Sequence, residues 1–373
     1  MPAAIAASAV RTCLGDGPAT FAALLRGECG ASRLRHGDPD RLNVSTGYHT
    51  GPDHPDRPFR ASRLLAGCVA EAVRQAGPAA TRGRVVALVG TGLRELSAVE
   101  DRVLSGASHP VRRLHFGDVV RQVLPGVSEV VTLANACSAG GHALALAQDL
   151  VELGDADAVV VGATDTMTRS MLAMIGRVAA GQTDRVRPFD RDRTGVLLGD
   201  GAAAVVVVPE PGPRPVLARL VATGLSCDAH HETAPDIGGI CRSIRDAYAR
   251  GGRDPAGVDL VVAHGTGTAL NDPAECEALR AVVLSAGGAP AVTAVKGALG
   301  HTSGAAALVN LDVGLRCLAA GRVPPVVGLR EVLAEGAGLR LVRGAPVPLR
   351  PRLVQLHAFG FGGVNAVTLL EPA

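Results

Sequence analysis

Cys137 has the sequence setting of a nucleophile. It follows the apolar run Val130 to Leu133 and lies in the segment NACSAGG, which opens a run of small residues. This pattern predicts a strand, a tight turn with the thiol at the bend, and a helix. The unpaired N–H groups and the positive dipole end of that helix favour a thiolate. A small buried core cysteine is the alternative, but the motifs described next favour the nucleophile.

Two histidines and one lysine are candidate partners of this thiol. His264 follows the apolar run Leu260 to Ala263 and begins HGTGTALNDPAE, while KGALGH begins with Lys296 and ends with His301. A histidine at the C-terminal end of a strand lies where α/β proteins usually bind ligands, although a purely structural histidine is the alternative. Lys296 is the one lysine among 37 basic residues, which indicates a position where a guanidinium would not fit.

A glycine-rich segment, FGFGGVNA, spans Phe359 to Ala366 after the apolar run Leu353 to Leu356. Its glycines permit close backbone approach and positive φ values, so amides there can point at a developing oxyanion. Neither this segment nor the GTG at residues 90–92 has the lysine of a phosphate loop or the dinucleotide fingerprint. We interpret the GTG as a strand-end turn.

Alternating strands and helices are expected to position these residues. Short apolar, β-branched runs predict buried strands at 85–89, 130–133, 158–161, 202–208, 260–263, 291–295 and 353–356. Helical patterns occupy residues 60–76, 139–153, 239–250, 273–285 and 303–318. The alternation predicts an α/β fold with helices on both faces of mixed sheets.

Two of these helices predict an internal duplication. The segments 138–147 and 303–309 carry small or apolar residues on every face, so each belongs between two sheets in the centre of the molecule. Cys137 and His301 precede them, which predicts equivalent helix ends meeting at one active centre. The proline-rich stretch 209–215 is interpreted as the join between an N-terminal half, residues 1–209, and a C-terminal half, residues 216–373, of one globular unit.

Composition excludes several classes of protein. Of 373 residues, 47% are hydrophobic and 19% charged, which excludes a disordered or fibrous chain. A net charge of +2 and an aromatic content of 2% count against nucleic-acid binding. No apolar stretch is judged long enough to span a membrane, and the N-terminus lacks the features of a secretory signal, so we expect a cytoplasmic protein. The eight cysteines, which form no CxxC pair, are expected to be free thiols.

Together these motifs resemble the β-ketoacyl-acyl carrier protein synthases, the elongating ketosynthases of type II fatty acid and polyketide assembly. The resemblance rests on NACSAGG, HGTGTALND, KGALGH and FGFGGVNA, and extends through RPFDRDRTG at 187–195, GDGA at 199–202 and DAHHETAP at 228–235. It covers nearly the whole chain. It implies the thiolase-like fold, which has five α-β-α-β-α layers and two pseudo-duplicated halves.

The resemblance also implies roles for individual residues. Cys137 would hold an acyl chain delivered on a phosphopantetheine arm, and His264 and His301 would stabilise the enolate formed when a malonyl-type extender loses its carboxylate. Lys296, paired with Glu275, would hold His301. The backbone N–H groups of Cys137 and Phe361 would form an oxyanion hole, and the Phe361 ring would act as a gate over the sulfur. Further supporting positions in the matched motifs are Phe359, Gly362 and Asn365.

No resident cofactor and no metal ion are expected, and the implied partners are proteins. An acidic acyl carrier protein would dock on arginines, with those between Arg33 and Arg63 as candidates. The resemblance further implies a dimer, formed with a second copy or with a chain-length subunit, in which the strand before Cys137 pairs across the seam. Neither nucleic acid nor a membrane is an expected partner.

Two departures from the family pattern keep rival functions open. The segment between Gly92 and Cys137 is short, and Asn310 stands where elongating relatives often carry a carboxylate. One rival is an acyltransferase of the same fold that passes the acyl group to an oxygen or nitrogen nucleophile. The other is a non-catalytic partner subunit, which the presence of Cys137 and both histidines counts against.

Two weaker candidate sites receive structural interpretations. Cys227, His230, His231 and Glu232 are metal-type ligands, but adjacent positions rarely converge on one ion. Asp190 and Arg193 are interpreted as a buried ion pair that fixes a loop.

Overall fold

The computed structural model describes residues 1–35, 37–52, 57–77, 81–178, 181–210 and 215–373. In these ranges the strands are β1 (Ala3–Thr12), β2 (Gly15–Asp16), β3 (Ser32–Arg33), β4 (Thr46–Gly47), β5 (Val85–Gly90), β6 (Glu129–Leu133), β7 (Ala158–Asp165), β8 (Gly201–Pro209), β9 (Ala218–Cys227), β10 (Leu260–Val262), β11 (Ala291–Thr293), β12 (Arg322–Val323), β13 (Arg340–Leu341), β14 (Val347–Pro348), β15 (Val354–Gly360) and β16 (Val364–Glu371). The helices are α1 (Gly17–Leu25), α2 (Pro39–Leu42), α3 (Arg60–Ala76), α4 (Leu96–Ser105), α5 (Gly117–Val123), α6 (Ala139–Glu152), α7 (Arg169–Val178), α8 (Ile237–Gly251), α9 (Asn271–Leu279), α10 (Lys296–Leu299) and α11 (Ala306–Ala320).

Each strand and helix predicted from the sequence is present; α3 has the predicted ends, and the others are shifted at one end or both. The clearest difference is at 273–285, where α9 ends at Leu279 and the chain continues as a π-helix over Arg280–Leu284. Three long strands, β1, β9 and β16, were not predicted. All three lie in the middle of the sheet, and their sequences mix alanine and polar residues with the apolar ones, so they lack the continuous β-branched runs that identified the other strands. Part of the proline-rich join, residues 211–214, lies outside the described residues.

The strand order shows the duplication directly. In the described part of the chain, 12 strands join in one hydrogen-bonded sheet. One half runs β6-β5-β7-β8-β1 and the other runs β11-β10-β15-β16-β9, so equivalent strands occupy equivalent places. In each half, read in this order, the first two pairings between neighbouring strands are parallel and the last two are antiparallel. The expected separate sheets are therefore continuous, because β1 and β9 also pair along three residues.

The helices complete the layers. On the outside, α3 packs on β1, β7 and β8, and α8 packs on β9 and β16. Between the two half-sheets lie α6 and α11, which contact each other and strands of both halves. This arrangement confirms the predicted α/β, five-layer fold class. Most residues of α11 are buried, as expected for a helix without a polar face.

Two glycines allow the central helices to approach the strand ends. A Cβ on Gly90 would lie 2.7 Å from the backbone of Ala139, and a Cβ on Gly304 would lie 2.6 Å from the Cα of Thr91. Real Cβ atoms do not approach backbone so closely. The small-residue pattern therefore reflects contact between backbones, which no larger side chain permits.

We expect Gly304→Ala to lower the free energy of unfolding by about 1 to 3 kcal/mol, because the new methyl group must displace backbone rather than a flexible side chain. The matched control is Gly67→Ala in α3, where a Cβ meets nothing within 4 Å. That control should raise stability by about 0.5 to 1 kcal/mol, since alanine is the better helix former. Denaturant titration of both variants checks the prediction, and equal effects would contradict it.

One segment corrects the expectation about membrane spans. The helical stretch Ser303–Ala320 is long and apolar enough to cross a bilayer, with a mean hydropathy of 1.2, although no comparable stretch was recognised in the sequence. In the structure 78% of it is buried inside the protein. It is the central core helix α11 with the turn that precedes it.

Candidate active site

Cys137 lies in a strained turn at the start of α6. It is the middle residue of a short 3-10 turn, Ala136–Ser138, and an equivalent turn, Ser303–Ala305, precedes α11. Ala136 and Ser303 both have φ of 48°, a left-handed conformation that costs a non-glycine residue about 1 to 2 kcal/mol. The two turns contact each other. The duplicated fold therefore brings the N-terminal ends of both central helices to one place, as the sequence pattern predicted.

The sulfur of Cys137 contacts His301. His301 Nε2 lies 3.0 Å from Cys137 Sγ. Burial raises the pKa of the Cys137 thiol to about 11, and the nearby Lys296 charge and the Phe361 N–H only partly offset this effect. The thiol form therefore predominates at neutral pH, in contrast to the thiolate expected from the helix end alone. Burial, reinforced by Lys296, also lowers the pKa of His301, so its uncharged imidazole is a base within reach of the S–H proton.

His264 has a defined tautomer. Its Nδ1 lies 3.3 Å from the backbone N of Phe359 and 3.3 Å from Lys296 Nζ. A backbone N–H can only donate, so Nδ1 accepts and the ring proton of neutral His264 is on Nε2. Burial, with the nearby Lys296 charge, lowers the pKa of His264 well below its usual value and keeps it neutral. The His264 and His301 rings are perpendicular, with centroids 5.4 Å apart.

Lys296 binds His264 rather than the predicted partners. Its ammonium group donates to the backbone carbonyl of His264 and lies near His264 Nδ1, and its side chain is 1% exposed. Burial lowers the pKa of Lys296 to about 8, while the negative charge of Glu275 opposes this shift. The predicted contact between Lys296 and Glu275 was wrong, because α9 directs Glu275 toward another histidine. The predicted contact between Lys296 and His301 was also wrong, because Lys296 binds His264 instead.

That histidine, His357, was missed in the sequence. Its Nδ1 lies 2.7 Å from Glu275 Oε1, and both side chains are fully buried. Glu275 also accepts the backbone N–H groups of His264 and Gly265 at 2.7 and 2.8 Å. Burial alone would raise the pKa of Glu275, but the His357 hydrogen bond and these amides lower it overall. The available signal was Gln355 and His357, two polar residues on one face of an apolar strand.

Asp165 is a second buried group that was not singled out. It ends β7, and its carboxylate accepts four hydrogen bonds, from Thr91 Oγ1 and the backbone N–H groups of Gly92, Leu93 and Gly304, at 2.7 to 2.9 Å. Burial raises its pKa to about 6 despite these donors. Asp165 thereby ties the loop after β5 to the turn after His301. A carboxylate at the end of a long apolar strand was the sequence signal.

We expect Asp165→Asn to lower the free energy of unfolding by about 2 to 4 kcal/mol at pH 8, because the new amide turns an N–H donor toward backbone donors and leaves them unpaired. As a control, Asp149→Asn removes an exposed pair with Arg250 and should change stability by about 0.5 kcal/mol or less. Denaturant titration of the two variants measures the difference. Similar losses in both would show that the buried carboxylate does not organise the loops.

The glycine-rich segment packs against the Cys137 turn. A Cβ on Gly360 would lie 3.2 Å from the backbone N of Cys137, so glycine permits this approach. The backbone N–H of Phe361 lowers the pKa of the Cys137 thiol, while the Phe361 side chain is 44% exposed, and Phe359 is buried beside the His264 ring. Gly362 has φ of 83° and donates its N–H to the carbonyl of Glu232.

Asn365 and Asn310 support the backbone around the site. Asn365 Nδ2 donates to Asp228 Oδ1 at 2.7 Å, which ties the glycine-rich turn to the end of β9. Asn310, in α11, donates to the backbone carbonyls of Ala263 and His357 at 3.3 and 3.1 Å. The structure therefore places Asn310 behind His264, where its amide joins β10 to β15.

The two weaker candidate sites are structural. Arg193 donates to the backbone carbonyl of Asp190, while the Asp190 carboxylate accepts the N–H groups of Arg330 and Glu331, so the expected side-chain ion pair was wrong. Among the described residues, no group of three or more His, Cys, Asp or Glu side chains is arranged to hold a metal ion. All eight cysteines are free thiols.

The sequence matches two family models. Residues 52–211 match the "Beta-ketoacyl synthase, N-terminal domain" and residues 217–330 match the "Beta-ketoacyl synthase, C-terminal domain". Nodulation protein E of Rhizobium meliloti is 30% identical over 328 residues, which cover 83% of this chain and 81% of that protein. The 3-oxoacyl-[acyl-carrier-protein] synthase 2 of Mycobacterium tuberculosis is 34% identical over 250 residues, 63% of this chain and 59% of that protein.

Solved structures agree with this assignment. The ishigamide ketosynthase/chain length factor superposes with a TM-score of 0.89 at 28% identity, and the alignment covers 100% of this chain and 99% of that one. A type II polyketide synthase acyl-carrier protein complex with its ketosynthase, AntDE:AntF, gives a TM-score of 0.89 at 17% identity with the same coverage, which shows the fold alone. The chain therefore belongs to the β-ketoacyl synthase family and is a ketosynthase, an enzyme of the acyltransferase class.

Proposed function

We propose that the chain catalyses decarboxylative Claisen condensation between an acyl group held on Cys137 and a malonyl-type extender on an acyl carrier protein, in a type II polyketide or fatty acid pathway. The contact between His301 Nε2 and Cys137 Sγ carries the proposal. It places a neutral base beside a thiol, and the His264 ring lies next to that base, with ring centroids 5.4 Å apart. The similar mycobacterial protein is named as an acyl-carrier-protein synthase, which supports a carrier-bound substrate.

Acylation of Cys137 is the first step. His301 Nε2 takes the S–H proton as the sulfur attacks the thioester carbonyl of the incoming acyl group. The backbone N–H groups of Cys137 and Phe361, both of which lower the pKa of the Cys137 thiol, stabilise the oxyanion. Collapse of the tetrahedral intermediate breaks the old carbon–sulfur bond. The departing phosphopantetheine sulfur then receives the proton from His301.

Condensation is the second step. The thioester oxygen of the malonyl group accepts hydrogen bonds from His264 Nε2–H and from His301. The bond to the carboxylate breaks, carbon dioxide leaves, and the electron pair forms an enolate that these two imidazoles stabilise. The enolate carbon attacks the acyl carbonyl on Cys137, the Cys137 thiolate leaves, and a proton from solvent restores the thiol. In the described residues His301 Nδ1 is buried without a protein partner, so no contact fixes its tautomer between the two steps.

Reconstitution with an acyl-loaded carrier and malonyl carrier labelled in the free carboxylate tests the proposal. We expect one labelled carbon dioxide per condensation and a β-ketoacyl product on the carrier by intact-mass analysis. Acylation of an added alcohol or amine without carbon dioxide release would favour the rival acyltransferase. Failure of the chain to become acylated, while a sister subunit is acylated in a complex, would favour the non-catalytic partner subunit.

We further propose a dimer and a carrier-docking surface. Strand β6 is an edge of the sheet, paired only with β5 among the described strands, so it is free to pair with a second chain. Light scattering should give twice the chain mass.

The proposed carrier-docking surface contains Arg33, Arg35 and Arg41, which are exposed and suit an acidic carrier. Arg60 is buried against Asp200 and is unsuited to docking. The KM for the carrier should rise with salt.

A further inference from the structure

A chain of hydrogen bonds leads from His264 into the outer core. His357 and Gln355 lie two residues apart in β15, so both side chains are on the same face of the sheet. His357 Nε2 lies 2.5 Å from Gln355 Nε2, and Gln355 Oε1 lies 2.6 Å from the hydroxyl of Tyr248 in α8. The next link toward the site is Glu275, bonded to His357 Nδ1. Three polar side chains are therefore lined up behind Glu275 in an otherwise apolar core.

With the Gln355 amide oriented as in the structure, the donors and acceptors in this chain have one consistent assignment for an uncharged His357. The Tyr248 hydroxyl donates to Gln355 Oε1, since that atom is a carbonyl oxygen. The amide nitrogen of Gln355 must then face His357, and because it can only donate, His357 Nε2 accepts. The proton of neutral His357 is consequently on Nδ1, where it is donated to the Glu275 carboxylate at 2.7 Å.

Glu275 links His357 to two of the proposed catalytic groups, His264 and Lys296. Its two oxygens accept the backbone N–H groups of His264 and Gly265, and Gly265 has φ of 42°, a turn conformation that needs anchoring. The negative charge of Glu275 also helps to keep Lys296 protonated. Lys296 in turn donates to the carbonyl of His264. Loss of the His357 N–H destabilises the Glu275 carboxylate, and this weakens both its bonds to the His264 and Gly265 amides and its stabilisation of the Lys296 charge.

From these contacts we propose that His357 is a positioning residue, which acts on His264 through Glu275. Tyr248 and Gln355 hold His357 in the tautomer that this role requires. The inference rests on the proposed function, since the reaction it assists is loss of carbon dioxide at His264. Other titratable groups around the Glu275–His357 pair are Lys296 of α10, Asp272 and Cys276 of α9, His264 after β10 and Tyr248 of α8.

The matched variants are His357→Leu and His357→Asn. Leucine removes the donor to Glu275, whereas the asparagine amide can place an N–H close to the position of imidazole Nδ1. We expect His357→Leu to lower kcat for malonyl decarboxylation by about 10-fold or more, an effect typical of outer hydrogen-bond partners. The acidic limb of the pH profile should move to higher pH, because Glu275 without the His357 donor takes up a proton more readily and then no longer accepts the His264 and Gly265 N–H groups. His357→Asn should restore most of both quantities.

A purely structural role predicts a different outcome. If His357→Leu lowers thermal stability but leaves the pH midpoint and kcat unchanged, or if His357→Asn is as impaired as His357→Leu, the inference fails. Acylation of Cys137 by an acyl-carrier donor should stay within about 3-fold of wild type in both variants, since the sulfur contacts His301 rather than this chain. Circular dichroism verifies that the variants are folded.

A measurement that does not depend on turnover separates the two proposals. Nitrogen NMR of histidine-labelled protein should show His357 protonated on Nδ1 in wild type, with assignment from the His357→Asn difference spectrum. Tyr248→Phe removes the outer donor, frees the Gln355 amide to turn, and should produce a mixture of tautomers. A wild-type Nε2–H tautomer would overturn the inference. Absence of decarboxylation in wild type with the Nδ1–H tautomer present would overturn the proposed function instead.

Discussion

Replacing Cys137 with alanine is expected to abolish acylation of the protein and to lower condensation by about 1,000-fold or more, because no other group can form the covalent intermediate. Incubation with an acyl-loaded carrier and intact-mass analysis measures the acyl-enzyme. Wild type should gain one acyl group and Cys137→Ala none. The Cys137→Ala protein should still decarboxylate malonyl carrier, since His264 and His301 remain and that step needs no sulfur.

The control for this experiment is Cys227→Ala, which removes an exposed cysteine. It should be acylated as wild type is. Acylation of Cys137→Ala would mean that another residue is the nucleophile. Loss of decarboxylation in the same variant would mean that the sulfur and the imidazoles act as one group rather than in two steps.

Loss of the Lys296 charge is expected to have the second largest effect. Lys296→Met should reduce decarboxylation by about 100- to 1,000-fold, as expected when a preorganised donor is lost from a site that stabilises an oxyanion. In wild type the Lys296 charge is lost when the ammonium group deprotonates at high pH. Since the pKa of Lys296 is lowered to about 8, decarboxylation should fall as pH rises through that value, and the limb should vanish in Lys296→Met. The control Arg322→Met removes an exposed cation and should leave the profile unchanged.

Stability should change in the opposite direction to activity. The pKa of Lys296 is about 8 in the folded protein and 10.5 ordinarily, so between these values the unfolded chain binds more protons. The free energy of unfolding should then rise with pH in this window, by up to about 1.4 kcal/mol per pH unit from this one group. Lys296→Met should lack this increment relative to wild type. If wild type and Lys296→Met gain the same stability between pH 7.5 and pH 9.5 in denaturant titrations, Lys296 stays protonated in the folded protein across this window and its pKa is not lowered.

The sequence identified the groups that converge in the structure, for reasons that are local. Cys137 and His301 each precede a helix with no polar face, and such a helix must be central, so both residues had to lie at its N-terminal end. His264 and Lys296 follow short apolar strands. The parallel order of β10 and β11 places the ends of those strands side by side. Strand and helix periodicity were sufficient for this part of the site and for the α/β class, whereas the five-layer arrangement was implied by the family resemblance.

Hydrogen-bond partners and protonation states were decided only by the tertiary structure. Glu275 and His357 are 82 residues apart, and nothing in the motif around Glu275 indicates that β15 brings a histidine closer to it than α10 brings Lys296. The helix end was expected to favour a thiolate at Cys137, yet its pKa is raised to about 11, because burial has the larger effect. Burial depends on every layer of the fold at once. The sequence therefore determined that Cys137, His264, Lys296 and His301 come together, whereas packing determined which partners these groups bond and which protons they keep.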